Sequence, residues 1–272
     1  MQLGVNVPNF GPGTDPGVLR AWVRTVEGLG FDLLMVSDHV AVTPDVAERY
    51  PEPFYEPFTT LSWMAGITTR LRLGTTVLVL PYRHPLLVAR MADNLQQLSA
   101  GRFVLGVGIG WARQEFDALD VPFAARGRLT DEYLATLRSS WSARAGSTTP
   151  SPPVWVGGNS AAGLRRAVRF GDAWHPLRLS LPRMRSALAA HPVPGFAPRI
   201  ALRLTGTPVD GPERPAGVGT LEQILDDLDQ LRLLGAGTVV LDPYHGDPEE
   251  TRRPDAAWQA LTAVATRRSA SS

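Results

Sequence analysis

A strand–helix–strand pattern between Leu71 and Trp111 is the feature that most constrains the fold of this chain. Residues 73–80 and 103–109 are short apolar runs rich in leucine and valine, which indicates two buried strands. Between them, residues at helical spacing share one face: Leu86, Leu87, Arg90, Met91, Asn94, Leu95 and Leu98. Because parallel strands joined by a helix form a β–α–β unit, we expect a parallel sheet covered by helices.

The same alternation extends over the whole chain. Strand patterns cover residues 3–7, 31–36, 73–80, 103–109, 154–156, 173–177, 200–205 and 238–242. Helix patterns lie between them, with predicted N-caps at Asp15, at Thr130 for a helix over 131–141, and at Thr220 with Gln223 as a capping box. The last helix is predicted over 254–265.

Eight strands that alternate with helices favour a single (β/α)8 TIM barrel over residues 1–266, followed by a flexible tail at 267–272. The alternative is a doubly wound open sheet. Such a sheet normally carries a G-x-G-x-x-G turn after its first strand, where this chain has Pro8-Asn9-Phe10-Gly11-Pro12. The first turn therefore argues for the barrel.

Composition excludes several classes of function. The net charge of +1 indicates neither a nucleic-acid partner nor an anionic membrane, and no apolar run approaches the ~20 residues of a membrane span. We therefore expect a cytoplasmic protein. All 27 basic residues are arginine and cysteine is absent, so a lysine Schiff base, a Walker phosphate loop and a thiolate nucleophile are excluded. No His-x-His or His-x-x-x-His pattern is present, and we predict no metal site.

The candidate site follows from the barrel, because barrel active sites lie at the carboxyl ends of the strands. Few of the residues at these ends are ionisable, and many are glycine or aromatic. In chain order they are Asn6, Asn9, Asp38, His39, Thr75, Thr76, Gly108, Gly110, Trp111, Gly157, Gly158, Asn159, Ser160, Trp174, His175, Asp242 and Tyr244. This composition predicts a site for a large planar ligand that itself supplies the chemistry.

Three features of these ends have two interpretations each. The Gly157-Gly158-Asn159-Ser160 segment opens a helix, and it is either an anion site, with Arg165 and Arg166 nearby, or a tight turn with a serine cap. His39 beside Asp38 either transfers a proton or only holds a loop. The aromatic residues Trp111, Trp174 and Phe10 either wall a planar ligand or fill the rim of the barrel.

Several stretches, in order over residues 1 to about 180, resemble the bacterial luciferase-like flavin and deazaflavin oxidoreductases. They are Gly30-Phe31-Asp32 through Ser37-Asp38-His39-Val40, Arg72-Leu73-Gly74-Thr75 through Pro81-x-Arg83-x-Pro85, Leu98-Ser99-x-Gly101-Arg102 through Gly106-x-Gly108-x-Gly110-Trp111, and Pro153-x-Trp155-Val156-Gly157-Gly158 through Gly171-Asp172-x-Trp174-x-Pro176. The combination is most similar to the branch that uses coenzyme F420.

The resemblance implies a TIM barrel that binds F420, or alternatively FMN. It implies that the cofactor ring stacks on a bulge with a cis peptide bond at Thr76-Val77, and that the phosphates lie against Gly108 to Trp111 and Gly157 to Ser160. His39 matches a candidate base of related dehydrogenases. Just after the third glycine of this turn some relatives carry an acidic residue. This chain has Trp111 at that position, and Glu115 is the nearest acidic residue that could substitute. The segment between Trp141 and Pro153 is shorter than the family's, and the family implies a homodimer.

From the residues and the resemblance together we predict hydride transfer between a deazaflavin and a small organic substrate, with catalytic residues His39 and Asp38. The predicted cofactor-binding residues are Asn6, Thr75, Thr76, Val77, Gly108, Gly110, Trp111, Gly157, Gly158, Asn159 and Ser160. One alternative is an FMN-dependent monooxygenase. The other, outside enzymes, is a trimmed protein that only binds a flavin.

Overall fold

The structure is a computed structural model that describes residues 1–143 and 149–270. The strands in these residues are β1 Gln2–Asn6, β2 Leu33–Val36, β3 Arg72–Thr75, β4 Leu78–Val79, β5 Phe103–Gly108, β6 Val154–Gly157, β7 Ala173–His175, β8 Arg199–Ala201, β9 Arg203–Leu204, β10 Val218–Gly219 and β11 Thr238–Asp242. The helices are α1 Pro16–Gly28, α2 Pro44–Ala47, α3 Pro57–Ile67, α4 Pro85–Leu98, α5 Arg113–Ala118, α6 Arg126–Ser142, α7 Ala161–Phe170, α8 Leu181–Ala190, α9 Leu221–Leu233 and α10 Pro254–Ala270.

The main sheet is a nearly closed parallel barrel in the order β7-β6-β5-β3-β2-β1-β11-β8, with β4 also paired to β5. The gap between β7 and β8 is bridged by the chain just before β8, since Trp174 N donates to Gly195 O at 2.8 Å and Ala197 N donates to Trp174 O at 2.9 Å. The predicted barrel is thus confirmed and the open sheet is wrong. The seven buried side chains that by strand alternation fill the barrel interior are Leu33, Met35, Val104, Trp155, Ala173, Ala197 and Val240.

The third predicted strand, over 73–80, is broken in the middle. β3 ends at Thr75, β4 begins at Leu78, and the peptide bond between Thr76 and Val77 is cis. The position that the resemblance implied for this bond is confirmed. The bulge lies against β5, where a Cβ atom on Gly106 would clash with the carbonyl of Thr75 and one on Gly108 would lie 2.5 Å from Val77 Cγ2. These glycines therefore make room for the bulge.

Two of the three predicted helix caps are present. The Asp15 carboxylate accepts from Val18 N at 2.7 Å, and Thr220 and Gln223 form the reciprocal capping box. The third is wrong, because α6 begins at Arg126 and the Thr130 hydroxyl donates to Arg126 O inside its first turns at 2.7 Å. Arg126 to Arg128 lack the apolar spacing that marks the rest of this helix, so the pattern underestimated its length.

The face of α4 that packs on the barrel differs from the predicted apolar face. Its buried residues are Pro85, Val88, Ala89, Ala92, Asp93, Leu95 and Gln96, whereas Leu86, Leu87 and Leu98 are more than half exposed. Two of these buried residues are alanines, which the apolar spacing did not single out. The leucines are left as an apolar surface.

Two predicted segments include residues that the structure does not describe. The shortened segment after Trp141 includes residues 144–148, which are outside the described residues. Helix α10 continues through Ala270, so residues 267–270 of the predicted tail are helical, and residues 271–272 are not described. The division into a domain and a tail stays a prediction. Among the described residues, no helix has the length and apolar character needed to cross a membrane.

Candidate active site

A cavity of about 300 Å³ opens at the carboxyl ends of β2 to β7 and beside the start of β8. It collects most of the predicted site residues in one place. Its lining consists of Ser37, Asp38, His39, Tyr50, Thr76, Val77, Val79, Gly108, Ile109, Gly110, Trp111, Gly157, Gly158, Asn159, His175, Leu177 and Arg199.

Three predicted cofactor-binding residues lie outside this lining. The Asn6 amide donates to Asp242 Oδ1 at 3.1 Å, and the Thr75 hydroxyl donates to Gly106 O at 2.7 Å. Ser160 caps α7, where its hydroxyl accepts from Gly163 N at 3.2 Å. In these contacts all three serve the fold, and Asn6 and Thr75 are buried below the cavity.

His39 lies at the end of β2 with its ring fixed by Glu115, a residue of the short helix α5. The distance from His39 Nδ1 to Glu115 Oε2 is 2.6 Å, and both side chains are buried. An ionised carboxylate only accepts hydrogen bonds, so Nδ1 carries the proton. In the neutral ring Nε2 then holds the lone pair, and within the described part of the chain no hydrogen bond occupies it.

The Glu115 carboxylate is ionised despite complete burial. Burial alone would raise its pKa, but the hydrogen bond and charge of His39 and the backbone N–H groups of Val40 and Ala41, at 2.6 and 3.1 Å, lower the pKa below its ordinary value. The Tyr82 hydroxyl also donates to Glu115 at 2.9 Å. Burial and this carboxylate raise the pKa of Tyr82, which keeps its proton.

Asp38 does not contact the His39 ring, although the two are adjacent in sequence. Its carboxylate accepts two hydrogen bonds from Arg83, each at 2.8 Å, and one from Val79 N at 2.8 Å. These bonds tie the end of β2 to β4 and the segment after it. Asp38 therefore holds the wall of the cavity, and the residue that orients His39 is Glu115.

Aromatic side chains enclose the His39 ring. Tyr50 stacks on it at 5.3 Å between centroids, and Phe54 and Trp111 meet it edge-on at 5.4 and 5.8 Å. Trp111 is 50% exposed and forms a wall of the cavity. Phe10 and Trp174 are instead almost fully buried away from the cavity, so they fill the rim and core.

The floor of the cavity is the bulge around Val77, and its edge is the turn before α7. A Cβ atom on Gly157 would lie 2.9 Å from Val77 Cγ1, so Gly108 and Gly157 both fit around this side chain. Gly158 has φ +130°, a conformation that favours glycine, and leaves the first turn of α7 exposed. Asn159 is tied to Leu177 by reciprocal hydrogen bonds of 2.8 and 2.9 Å. Of the two nearby arginines, Arg166 is committed to Asp131 and Gly127 O.

A buried polar network under the floor was not predicted as a unit. Arg199 Nη1 donates to Thr76 O at 2.6 Å, and its Nε and Nη2 donate to Asp242 Oδ2 at 3.1 and 2.9 Å. His175 Nε2 lies 2.8 Å from the Thr76 hydroxyl, and its Nδ1 bonds to Ala197 O. Burial, together with the charge of Arg199, lowers the pKa of His175 to about 4, so its ring is neutral. The sequence signal for Arg199 was absent, because its strand was predicted to begin one residue later.

A larger cavity of about 590 Å³ lies beyond an aromatic wall. Tyr50, which lines the first cavity, contacts Tyr244, which lines the second, at 5.9 Å between ring centroids. The larger cavity contains none of the predicted catalytic or cofactor-binding residues. The smaller one, with His39 at its wall, is the candidate active site.

Comparison with curated proteins gives relatives of moderate identity. An uncharacterised protein of Mycobacterium tuberculosis is 31% identical over 179 residues, which are 56% of this chain and 62% of that protein. Another protein of the same organism, named as a coenzyme F420-dependent oxidoreductase, is 32% identical over 197 residues, 69% of this chain and 50% of that protein. The matches thus span about half to three-fifths of the length of these relatives.

Solved structures share the fold at lower identity. An F420-dependent secondary alcohol dehydrogenase with an F420–acetone adduct matches with a TM-score of 0.70 and 16% identity, covering 97% of this chain and 98% of the other. The FMN complex of the oxygenating constituent of 3,6-diketocamphane monooxygenase from Pseudomonas putida matches at 0.69 and 16%, covering 97% of both. A family model described as luciferase-like monooxygenase matches residues 1–192. On this match, which covers well over half of its length, the chain belongs to the luciferase-like monooxygenase family.

Proposed function

We propose that the chain is an oxidoreductase that binds coenzyme F420 in the smaller cavity and exchanges a hydride with a small organic substrate. The observation that carries this proposal is the His39–Glu115 pair at the cavity wall. Conversion between an alcohol and a carbonyl moves a proton as well as a hydride, and His39 Nε2 is placed to take or give that proton. The relative that is named for F420 and the resemblance in sequence support the choice of cofactor.

The residues present fit such a cofactor. The cavity lies at the lower end of the ~300–1,000 Å³ range of small-molecule sites. Its walls are largely apolar, with Val77 on the floor and Ile109, Trp111 and Leu177 around it, which suits a planar ring. The exposed first turn of α7 offers backbone N–H groups and the positive end of a helix dipole to a phosphate. Thr76, Val77, Gly108 and Gly158 would hold the ring and its phosphate side chain.

When bound, F420 supplies a ring carbon that exchanges a hydride with the substrate. The chain supplies orientation and the proton. Nε2 of His39 accepts the proton of a substrate hydroxyl, or returns it to a substrate carbonyl oxygen, and the Glu115 carboxylate stabilises the protonated imidazole. Tyr50, Phe54 and Trp111 restrict the ring of His39 and limit the access of water.

Titration of the protein with F420 and with FMN, followed by fluorescence, tests the proposal. Micromolar binding of F420 with far weaker binding of FMN is the expected result. The reverse preference would favour the alternative, an FMN-dependent monooxygenase. A monooxygenase constituent of the same fold binds FMN, which supports this alternative. Binding of F420 without turnover of alcohols or ketones would favour a protein that only binds the cofactor. Binding of neither, by a folded protein, would overturn the redox proposal.

We also propose that the protein is a homodimer, as the family resemblance implies. Leu87 and Leu98 lie on one side of α4 and are 52% and 70% exposed, which is unusual for leucine on a helix of a soluble barrel. A second copy of the chain would cover this surface.

A further inference from the structure

We propose that Arg199 makes the cavity bind the reduced form of its redox cofactor more tightly than the oxidised form. This inference rests on the proposed function. It concerns an arginine whose guanidinium lines the cavity, and whose side chain is only 11% exposed.

Arg199 is held on two sides. From the start of β8 it reaches across the barrel to the bulge, where Nη1 donates to Thr76 O at 2.6 Å and lies 3.3 Å from the Thr76 hydroxyl oxygen. On its other side it donates twice to Asp242 Oδ2. The charge is therefore fixed in position next to the floor on which a planar ring would rest.

The cluster around Arg199 carries a surplus of positive charge. The single carboxylate of Asp242 is shared with Arg178, whose Nε and Nη2 donate to Oδ2 at 3.1 and 2.6 Å. Burial alone would raise the pKa of Asp242, but the two arginines lower it, so the carboxylate is ionised. His175 is neutral. Within this hydrogen-bonded cluster, two guanidinium groups against one carboxylate leave a net charge of +1.

The wall of the cavity at the end of β2 differs in charge from the Arg199 side. There the Glu115 carboxylate faces a histidine, and Asp38 is neutralised by Arg83. With His39 neutral, the surroundings of the cavity are thus polarised, positive near Arg199 and negative near Glu115. A ring that accepts a hydride gains an electron pair and becomes richer in electron density, and a fixed positive charge in a site with little water stabilises it. We infer that the electron-rich end of the ring lies toward Arg199.

The test compares the affinities of the two redox forms. Oxidised and reduced F420 are titrated separately, without oxygen, into the wild type, Arg199→Gln, Arg178→Gln and the control Arg214→Gln, with protein fluorescence as the signal. Arg214 forms a similar buried pair with Asp227, at 2.8 and 2.6 Å, but lines neither cavity. We expect Arg199→Gln to weaken the reduced form about tenfold more than the oxidised form, the order expected for one partly screened charge.

The variant Arg178→Gln also makes the cluster neutral. Because the Arg178 side chain is 34% exposed, this variant provides the test if Arg199→Gln does not fold. The same direction of change is expected in it, and no change in Arg214→Gln. Equal weakening of both forms in either cluster variant would mean that these arginines only shape the floor, and would overturn the inference. Failure of the wild type to bind either form would instead overturn the proposed function.

Discussion

At the scale of single residues, the site depends on the hydrogen bond that fixes the His39 ring. We expect His39→Asn to lower kcat by about 10²–10⁴-fold, because it removes the proton-transfer group. Glu115→Gln keeps the shape but not the charge, and we expect a loss of about 10–100-fold, typical of a residue that orients another. In both variants the Kd for F420 should change little. Turnover of an alcohol and titration of F420 measure the two effects.

His84→Asn is the control for this prediction. His84 lies outside the cavity, where its Nδ1 accepts from Leu86 N at 3.3 Å at the start of α4. Its replacement should leave turnover intact. A His39→Asn variant as active as the wild type would show that the proton comes from elsewhere.

The lowered pKa of His175 predicts how the free energy of unfolding depends on pH. Its pKa falls from 6.5 in the unfolded chain to about 4 in the folded one, because burial disfavours the charged ring. Between these values only the unfolded chain binds the proton, so the free energy of unfolding is highest above pH 6.5. It should fall by up to about 3 kcal/mol as the pH decreases toward 4.

Urea denaturation at pH 7, 6 and 5 measures this effect, with His175→Gln as the variant that cannot titrate. Its stability should be lower at pH 7 and should fall less over this window, where His245, whose pKa burial also lowers, accounts for the remaining slope. Glu115 and Asp242, whose pKa values are lowered from 4.5 and 3.8, lose their stabilising charge only at lower pH. Parallel decreases for the two proteins would contradict the assignment to His175.

His39 could be predicted from the sequence because it follows a strand, and the ends of parallel strands converge. The partner of His39 could not. Glu115 is 76 positions away, and its approach depends on the path of α5. Asp38 was the nearer choice in sequence, but successive side chains at the end of a strand point in different directions. Its partner, Arg83, is 45 positions away.

At the scale of elements, the bulge between β3 and β4 determines the shape of the floor. Gly108→Ala would place a Cβ atom 2.5 Å from Val77 Cγ2, so we expect weaker F420 binding and a loss of about 1–3 kcal/mol of stability, the range for overpacked sites. The double variant Gly108→Ala with Val77→Ala removes the opposing methyl group and should recover part of the stability. Thermal unfolding and F420 titration test both.

Gly66→Ala is the matched control for this prediction. No atom lies within 4 Å of the position of its Cβ, and its backbone is helical. This variant should be as stable as the wild type or slightly more stable. A Gly108→Ala variant that behaves like Gly66→Ala would show that Val77 moves aside at no cost.

The position of the elements could be predicted because apolar runs and capping residues mark them locally. Their packing faces could not always be predicted. In α4 the leucines suggested the buried side, yet Ala89 and Ala92 are buried while Leu86, Leu87 and Leu98 are exposed. The glycines of β5 are a second case, because Gly106 and Gly108 accommodate Thr75 and Val77, a packing role that the glycine pattern did not predict.

At the scale of the whole molecule, the exposed leucines of α4 predict the assembly state. We expect sedimentation equilibrium to show a dimer, and Leu87→Glu combined with Leu98→Glu to give a monomer, because buried charge opposes association. Leu233→Glu is the control, since Leu233 is 75% exposed on α9. A wild-type monomer at tens of micromolar, or equal dissociation in the control, would contradict the proposed surface.

The modest size of the smaller cavity has a consequence for the kinetics. About 300 Å³ is the lower end of the range for small-molecule sites. A bound ring would then cover Val77 and leave only the open side, beside Trp111, for a second molecule. We expect an ordered mechanism in which the substrate enters after the coenzyme and the product leaves before it. Its steady-state signature would be inhibition by the converted coenzyme that is competitive with the starting coenzyme, and inhibition by the organic product that is non-competitive with both reactants.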